Sequence, residues 1–372
     1  MANVLVLTKY GRLGASSRLR FFQYIPWLKS AGLNVTVQAL LSDDLLQKRY
    51  ECGHYSIGQL LRAYSERCRV LLSRREYDVI WIEKEALQWA PLWVEAALLR
   101  GTPYVLDYDD AVFHNYDLHA NAWVRRFYGR RLDGLMEGAT MITAGNEYLA
   151  LRARSAGARA VEIVPTVIDL DRYSLAEAAR SSKDVQYIVW IGSPSTVRYL
   201  QLVAESLQEL ARSHKFVLRV IGGDALNIPG VCVESISWSE ESEVELIGEC
   251  DIGIMPLLDS PWERGKCGYK LIQYMACGLP VVASGVGVNT EIVRQGVNGY
   301  VANSAEEWRS ALDKLLLSTS LRQDMGRAGR QLVEDRFCVQ KTGPRLVEIL
   351  QRVARTGTAD PACGAREANN EV

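Results

Sequence analysis

The sequence predicts an α/β protein built from two doubly wound domains, each a parallel sheet between helical layers, facing a cleft. Three observations predict it. Short β-rich apolar runs alternate with longer segments of helical periodicity, the order that builds parallel sheets covered by helices. The alternation lapses over the polar stretch 169–184 and then restarts. A length of 372 residues suits two domains of about 100–200 residues each.

In the first half, runs 4–8, 34–38, 78–83, 104–107, 141–143 and 161–164 read as strands. Segments 17–31, 57–75, 86–100, 122–137 and 147–156 read as helices between them. Pro26 lies inside the first helical segment and is expected to start or kink it, because proline lacks an N–H and clashes with the preceding turn. In the second half, 186–192, 216–222, 232–235, 251–256 and 280–284 read as strands. Helices are expected at 196–213, 240–250, 270–276, 305–317, 321–336 and 339–355. The domains are therefore placed at 1–168 and 185–338, joined by a linker at 169–184. The stretch 356–372 lacks periodicity and is expected to be a disordered tail.

Hydrophobic residues make up 48% and charged residues 23%, an ordinary globular mixture. A formal net charge of -1 supplies no global field for nucleic acid, so no nucleic-acid partner is expected. Any membrane contact has to be a local patch. The start goes straight into an apolar strand-like run with no basic segment or cleavage site, so no signal peptide is read. No run reaches the roughly 18 apolar residues of a spanning helix. The eight cysteines, at 52, 68, 232, 250, 267, 277, 338 and 363, include no C-x-x-C pair. They read as buried or incidental thiols in a reducing cytoplasm.

The most informative stretch runs from Gly265 to Ser284. A glycine-bearing loop with Gly268 opens a short helix, and a Gly-Leu-Pro turn then enters a buried strand. A helix N-terminus presents unpaired N–H groups and the positive end of its dipole. Lys266 and Lys270 add charge there, and the set suits a diphosphate. An ordinary β-α connection with two solvated lysines has the same composition.

Met275-Ala276-Cys277-Gly278-Leu279-Pro280-Val281-Val282-Ala283-Ser284 resembles the donor-binding segment of the group 1 (family four) glycosyltransferases. Their pattern reads E-G-F-G-L-P-x-x-E-A-M-A-C-G-x-P-V-V-A. The likeness continues through Gly287, Glu291-Ile292-Val293 and Gly296-Val297-Asn298-Gly299-Tyr300. It covers the second half of the chain well and the first half loosely. The family's two glutamates, eight positions apart, fall on Gly265 and Gln273. In the family the first holds donor-sugar hydroxyls and the second the ribose. Gln273 can still hydrogen-bond a hydroxyl, Gly265 cannot, and Glu263 is the nearby substitute.

A second segment, Val189-Trp190-Ile191-Gly192-Ser193-Pro194-Ser195-Thr196-Val197-Arg198, is a strand ending in glycine and a Ser/Thr turn able to cap a helix. It resembles the family's diphosphate grip, with Ser193 in place of the arginine and Arg198 in place of the lysine. A plain helix cap with an exposed arginine reads the same way. A third, Gly11-Arg12-Leu13-Gly14-Ala15-Ser16-Ser17-Arg18, resembles the glycine loop after the family's first strand, with Gly14 facing the donor. It lacks the G-x-G-x-x-G pattern, which argues against a nicotinamide cofactor.

At Tyr104-Val105-Leu106-Asp107-Tyr108-Asp109-Asp110-Ala111 three carboxylates crowd a strand end. Like charges this close raise one another's pKa, as in general acid/base pairs. Asp109 and Asp110 are the catalytic candidates, with His114 one turn on; solvated acids capping a helix are the plainer alternative. Asp107-Tyr108-Asp109 also spells the D-x-D metal motif of GT-A transferases. It precedes the phosphate-binding features instead of following them, so no metal site is assigned.

The resemblance implies the GT-B fold with Rossmann-like domains, an N-terminal acceptor domain, a C-terminal nucleotide-sugar domain and a last helix crossing back. It implies a metal-independent, retaining glycosyl transfer with no cofactor, in polysaccharide or glycoconjugate synthesis. The expected donor-binding set is Gly14, Gly192, Ser193, Arg198, Glu263, Lys266, Gly268, Lys270 and Gln273. Two stretches of the first half, 57–75 with Arg62, Arg67, Arg69, Arg74 and Arg75, and 123–131 with alternating aromatics and arginines, read as amphipathic helices with basic faces. They also suit an anionic membrane surface and a lipid-linked acceptor. The protein is expected in the cytoplasm, peripheral on the inner face of the membrane. A non-catalytic nucleotide-sugar or glycan binder, and a metal-dependent GT-A enzyme, are the alternative readings.

Overall fold

A computed structural model describes residues 1–173, 185–223 and 226–358. The chain forms two compact units, Met1–Val164 with the segment from Gly343 onward, and Pro165–Thr342. In the first unit, β1 (Asn3–Tyr10), β2 (Asn34–Leu41), β3 (Val79–Glu83), β4 (Tyr104–Tyr108), β5 (Met141–Ala144) and β6 (Val161–Ile163) form one sheet in the order β2-β1-β3-β4-β5-β6. Every pairing is parallel. In the second unit, β7 (Gln186–Ile191), β8 (Phe216–Ile221), β9 (Cys232–Ile236), β10 (Ile252–Met255), β11 (Val281–Ala283) and β12 (Gly299–Val301) run in the order β12-β11-β10-β7-β8-β9, again all parallel. The central strands are buried on both faces. This is why they read as continuous apolar runs and not as alternating ones.

The helices are shorter than their periodicity suggests. Segment 17–31 divides into Ala15–Arg20 and Ile25–Ser30, with Pro26 in the first turn of the second, where a missing N–H is harmless. Segment 86–100 contracts to Leu92–Leu99, because residues 84–90 form a strained loop. Lys84 (φ 63°) and Trp89 (φ 65°) are its marks, the two non-glycine residues with positive φ among the described residues. Segment 122–137 divides into Ala122–Tyr128 and Arg131–Gly138. The sequence reading missed helix Asp43–Cys52, whose start is capped by the Ser42 hydroxyl accepting the Leu45 N–H.

Arg67 departs from the expected solvated face of helix Ile57–Leu72. It is buried, and its guanidinium donates to the carbonyls of Thr8 (2.6 Å), Ala86 (3.0 Å) and Gln38 (3.1 Å). The carbonyls hold it inside, since buried polar groups need partners. The units divide at 164/165 and 342/343, where the sequence set 168 and 338. Of the expected linker, Leu170–Arg172 form a 3₁₀ turn within the second unit, while 174–184 lie outside the described residues. The last helix is Val339–Thr358, and the tail expected beyond it likewise lies outside.

Candidate functional site

In the second unit the strand order reverses between β7 and β10, which are hydrogen-bonded neighbours. A crevice forms beyond the carboxyl ends of strands at such a switch point. Gly192 follows β7 and opens a turn in which the Ser193 N–H donates to Thr196 Oγ1 at 3.1 Å, with the Ser193 and Ser195 hydroxyls 2.9 Å apart. From β10 the chain passes through helix Pro261–Arg264 to Gly268, then into helix Tyr269–Ala276. Gly268 has φ 66°, and a Cβ there would stand 2.5 Å from Ile292 Cδ1, so both backbone and space demand glycine.

Lys270, in the first turn of that helix, holds its ammonium 4.1 Å from the centre of the Trp190 ring. A Cβ on Gly192 would lie 2.8 Å from Lys270 Nζ, so the missing side chain is what admits the lysine. Burial, then the neighbouring charge of Lys266, pushes the Lys270 pKa down to about 7. Among the described residues no carboxylate pairs with Lys270. Arg198 is exposed, 5.4 Å over the Tyr199 ring, and it too has no carboxylate partner among the described residues. Two basic side chains without carboxylate partners among the described residues thus stand beside a helix N-terminus, where N–H groups and the dipole favour negative charge.

The positions expected to stand where the family has glutamates are turned inward. Gln273 is 2% exposed and donates from Nε2 to the Tyr173 hydroxyl at 2.9 Å. That hydroxyl donates in turn to Glu243 Oε1 at 3.4 Å, and Trp238 Nε1 donates to Glu243 Oε2 at 2.8 Å. Gly265 is a right-handed turn residue with φ -78°. Glu263 is buried and takes the hydroxyl protons of Tyr199 and Ser260, one on each oxygen. Burial raises its pKa, but these two bonds hold it below the usual carboxylate value. Its charge thus ties the loop to its own domain. The network of Tyr173, Trp238 and Glu243 was missed in the sequence, since nothing in its spacing links Tyr173 to a glutamate 70 residues on.

In the first unit the order reverses between β1 and β3. Gly14 caps helix Ala15–Arg20, and a Cβ there would meet Tyr10 Cβ at 2.5 Å. The N–H groups of Arg12 and Leu13 each donate to the Asp43 carboxylate at 3.0 Å, which closes the glycine loop. Beside it, at the ends of β3 and β4, Lys84 Nζ lies 2.8 Å from Asp109 Oδ1, 3.1 Å from Ser16 Oγ and 4.0 Å from Glu83 Oε1.

This geometry corrects the expected mutual pKa rise. Burial pushes Asp109 up, but the Lys84 ammonium, followed by Arg20, outweighs it and holds Asp109 below its ordinary value. Lys84 is raised in return: burial lowers it, and Asp109, Asp110 and Glu83 prevail. Asp107 belongs to neither pair. Its oxygens receive Arg20 Nε and Nη2 at 2.8 and 2.7 Å and the Thr143 hydroxyl at 2.6 Å, in a buried cluster. His114 hydrogen-bonds Asp117 at 2.7 Å and Tyr148 at 2.9 Å. Lys84 was missed, although the run Glu83-Lys84-Glu85 at the end of an apolar strand was its signal.

Residues 185–318 match the family model described as "Glycosyl transferases group 1". Spore coat protein SA of Bacillus subtilis is 22% identical over 185 residues, 44% of this chain and 48% of that protein. The chain spans about half the length of the curated relatives it matches. Among solved structures, Anabaena HepE in complex with UDP aligns at a TM-score of 0.69 and 16% identity, covering 95% of this chain and 100% of HepE. Sucrose-phosphate synthase of Thermosynechococcus elongatus aligns at 0.71 and 14%, covering 96% and 100%. The fold is therefore GT-B, with two Rossmann-like domains.

Proposed function

We propose that this chain is a group 1 glycosyltransferase that transfers a sugar from a nucleotide-sugar donor to a glycan or lipid-linked acceptor. The observation that carries this reading is Lys270: a half-buried ammonium without a carboxylate among the described residues, beside Gly192 and at a helix N-terminus. An anion belongs there, and HepE, of the same fold, was solved with UDP.

In the reaction the acceptor oxygen bonds to the anomeric carbon as the bond to the diphosphate oxygen breaks. Lys270, Arg198 and the first N–H groups of helix Tyr269–Ala276 stabilise charge on the departing diphosphate. Its own oxygen takes the acceptor proton in a retaining transfer. Asp109, kept ionised by Lys84, fixes the rim of the first unit, and the half-buried Asp110 beside it shares the field of the same ammonium. Metal independence is supported by Asp107, whose oxygens are already engaged by Arg20 and Thr143. No cofactor is invoked.

Thermal shifts against UDP-, GDP-, ADP- and TDP-sugars test the reading, because a ligand of the native state raises stability by mass action. One donor class should raise Tm in the wild type and not in Lys270→Ala; no shift with any donor overturns it. Binding without turnover across an acceptor panel would favour the non-catalytic alternative.

The acceptor side rests on a surface of the first unit. No described helix is long and apolar enough to cross a membrane. Helix Ala122–Tyr128 instead exposes Trp123 and Phe127, stacked at 5.8 Å, beside Arg125, Arg126 and Arg130. Aromatics and arginines of this kind suit the anionic inner face of a cytoplasmic membrane and a lipid-linked acceptor.

A further inference from the structure

The loop from Lys84 to Ala90 leaves the carboxyl end of β3, beside the point where the first sheet reverses its order. Buried side chains grip its backbone. Tyr64 Oη donates to the Gln88 carbonyl at 3.0 Å and Arg67 Nη1 to that of Ala86 at 3.0 Å, both from helix Ile57–Leu72. The buried Arg131 donates to the carbonyls of Leu87, at 2.6 Å, and Ala90, and it pairs with Glu85 and Glu95. The Trp89 backbone N–H donates to the Tyr116 hydroxyl at 3.3 Å, which donates to Glu85 at 2.9 Å. Together these bonds hold Trp89 at φ 65°, a conformation that a bulky residue keeps only where its surroundings force it.

The side chain held in this way is not part of the core: Trp89 is 44% exposed. Tyr116, His119 and Tyr128 stand around it at 4.7, 6.1 and 6.1 Å, tilted by 65°, 83° and 61°, so none of these rings lies flat on the indole. His119 Nδ1 accepts the Asn121 N–H at 3.0 Å, which places the imidazole proton on Nε2. Arg125 Nη1 fastens the same segment through the His119 and Ala120 carbonyls, at 2.6 and 2.8 Å. Neither Trp89 Nε1 nor His119 Nε2 has an acceptor among the described residues. The charges nearest the loop, Glu85 and Arg131, are paired with each other. What the loop presents is a fixed, partly open indole with two uncommitted N–H donors, its own and that of His119.

We propose that Trp89 and His119 form a platform for a pyranose ring of a neutral glycan; naming that glycan as the acceptor rests on the transferase reading above. One face of a pyranose presents C–H groups, which pack on the electron-rich face of an indole. Its hydroxyl oxygens accept N–H bonds at the rim. A sugar ring has to be met in one orientation, and the strained backbone supplies one. A membrane interface is fluid and asks for no fixed ring; Trp123, 68% exposed on its helix, suits that use better.

Saturation-transfer NMR of the full chain with neutral trisaccharides of glucose, galactose, mannose and N-acetylglucosamine tests this. One of them should bind the wild type, with transfer concentrated on the C–H groups of one ring. Truncating a tryptophan that anchors a ligand typically loses about tenfold in affinity, and Trp89→Ala should weaken that trisaccharide by as much. Trp89→Phe, which keeps a ring and lacks the N–H, should recover part of the loss, and His119→Ala should weaken binding several-fold. Trp89→Gly separates the platform from the fold. Glycine is at ease at φ 65°, so this variant should lose the sugar as Trp89→Ala does while melting no lower than Trp89→Ala. A wild type that binds no trisaccharide, or unchanged affinity in Trp89→Ala, overturns the proposal. So does a Trp89→Ala chain that keeps the trisaccharide and no longer co-sediments with phosphatidylglycerol vesicles, which would assign the ring to a membrane. Thermal shifts with nucleotide-sugars judge the other reading separately. A donor that raises Tm where no trisaccharide binds leaves the transferase reading standing and overturns the platform. A trisaccharide that binds where no donor does supports the platform and overturns the transferase reading.

Discussion

Gln273 donates its side-chain N–H to the Tyr173 hydroxyl at 2.9 Å, across 100 residues of sequence. The bond is buried and its acceptor is already committed to Glu243. An amide at this position thus supplies the N–H that the buried Tyr173 hydroxyl accepts.

Gln273→Glu should lower stability by about 1–3 kcal/mol, because a carboxylate cannot donate to Tyr173 and stands near Glu243. Its buried carboxyl would have a pKa raised above the unfolded value. The folded state then holds the extra proton, so stability is retained at low pH and lost as pH rises through that raised pKa. Urea unfolding should show a smaller deficit at pH 5 than at pH 7.5. Adding Glu243→Gln should recover part of it; an equal deficit at both pH values contradicts the charge argument.

Nucleotide binding should take up a proton. With Lys270 at about pKa 7 in the free protein, a bound diphosphate favours the ammonium and raises that value. At pH 8 up to about one proton enters with each ligand, and affinity falls as pH rises above about 7. Calorimetry in buffers of different ionisation enthalpy reads the uptake directly. It should vanish in Lys270→Met.

Lys84→Met should take from Asp109, nine-tenths buried, its nearest counter-charge. Breaking one side of a buried pair typically loses about 3–5 kcal/mol. The double variant Lys84→Met/Asp109→Asn should regain a large part of that loss in denaturant unfolding. If the single and double variants unfold alike, the pair is not coupled.

Gly268→Ala should disturb the anion rim more than the fold. A left-handed residue with a Cβ carries roughly 1–2 kcal/mol of strain, and the contact with Ile292 adds to it. The start of helix Tyr269–Ala276 then shifts. Nucleotide affinity should fall by more than Tm alone predicts, measured by titration at a temperature where the variant is folded.

Chelation should leave turnover intact. Asp107 gives its oxygens to Arg20 and Thr143, so Asp107-Tyr108-Asp109 offers a metal little. Turnover of the active donor in excess EDTA measures this, and a strict Mn²⁺ or Mg²⁺ requirement would reinstate a metal mechanism.

The sheets were legible because buried parallel strands such as Val79–Glu83 and Tyr104–Tyr108 are apolar throughout, a signal that tertiary context does not erase. Helix limits were less so. Periodicity ran through 86–91, yet Pro91 and the strained Lys84 and Trp89 delay the helix to Leu92. At the rim, the placing of Gly192 after a strand and of Lys270 in the first turn of a helix was legible, because the flanking runs are apolar. The roles of Arg67, Glu243 and Tyr173 were not, because each depends on partners far away in sequence. Arg67 reads like its solvated neighbours, and only the carbonyls of Thr8 and Ala86 distinguish it.

The last helix gives the molecule an order of assembly. From Gly343 onward it belongs to the first unit, where Arg345 and Arg352 both hold Glu162 and a Cβ on Gly343 would press on Trp27. The chain therefore begins one unit, completes the other, and returns to finish the first. On a ribosome the unit made first is the one finished last. Its β1-to-β6 sheet waits for a helix made only after the whole second unit, Pro165–Thr342. A chain cut after Thr342 should carry a protease-resistant second unit behind a cleavable first one; equal resistance of both would mean the sheet closes without its helix.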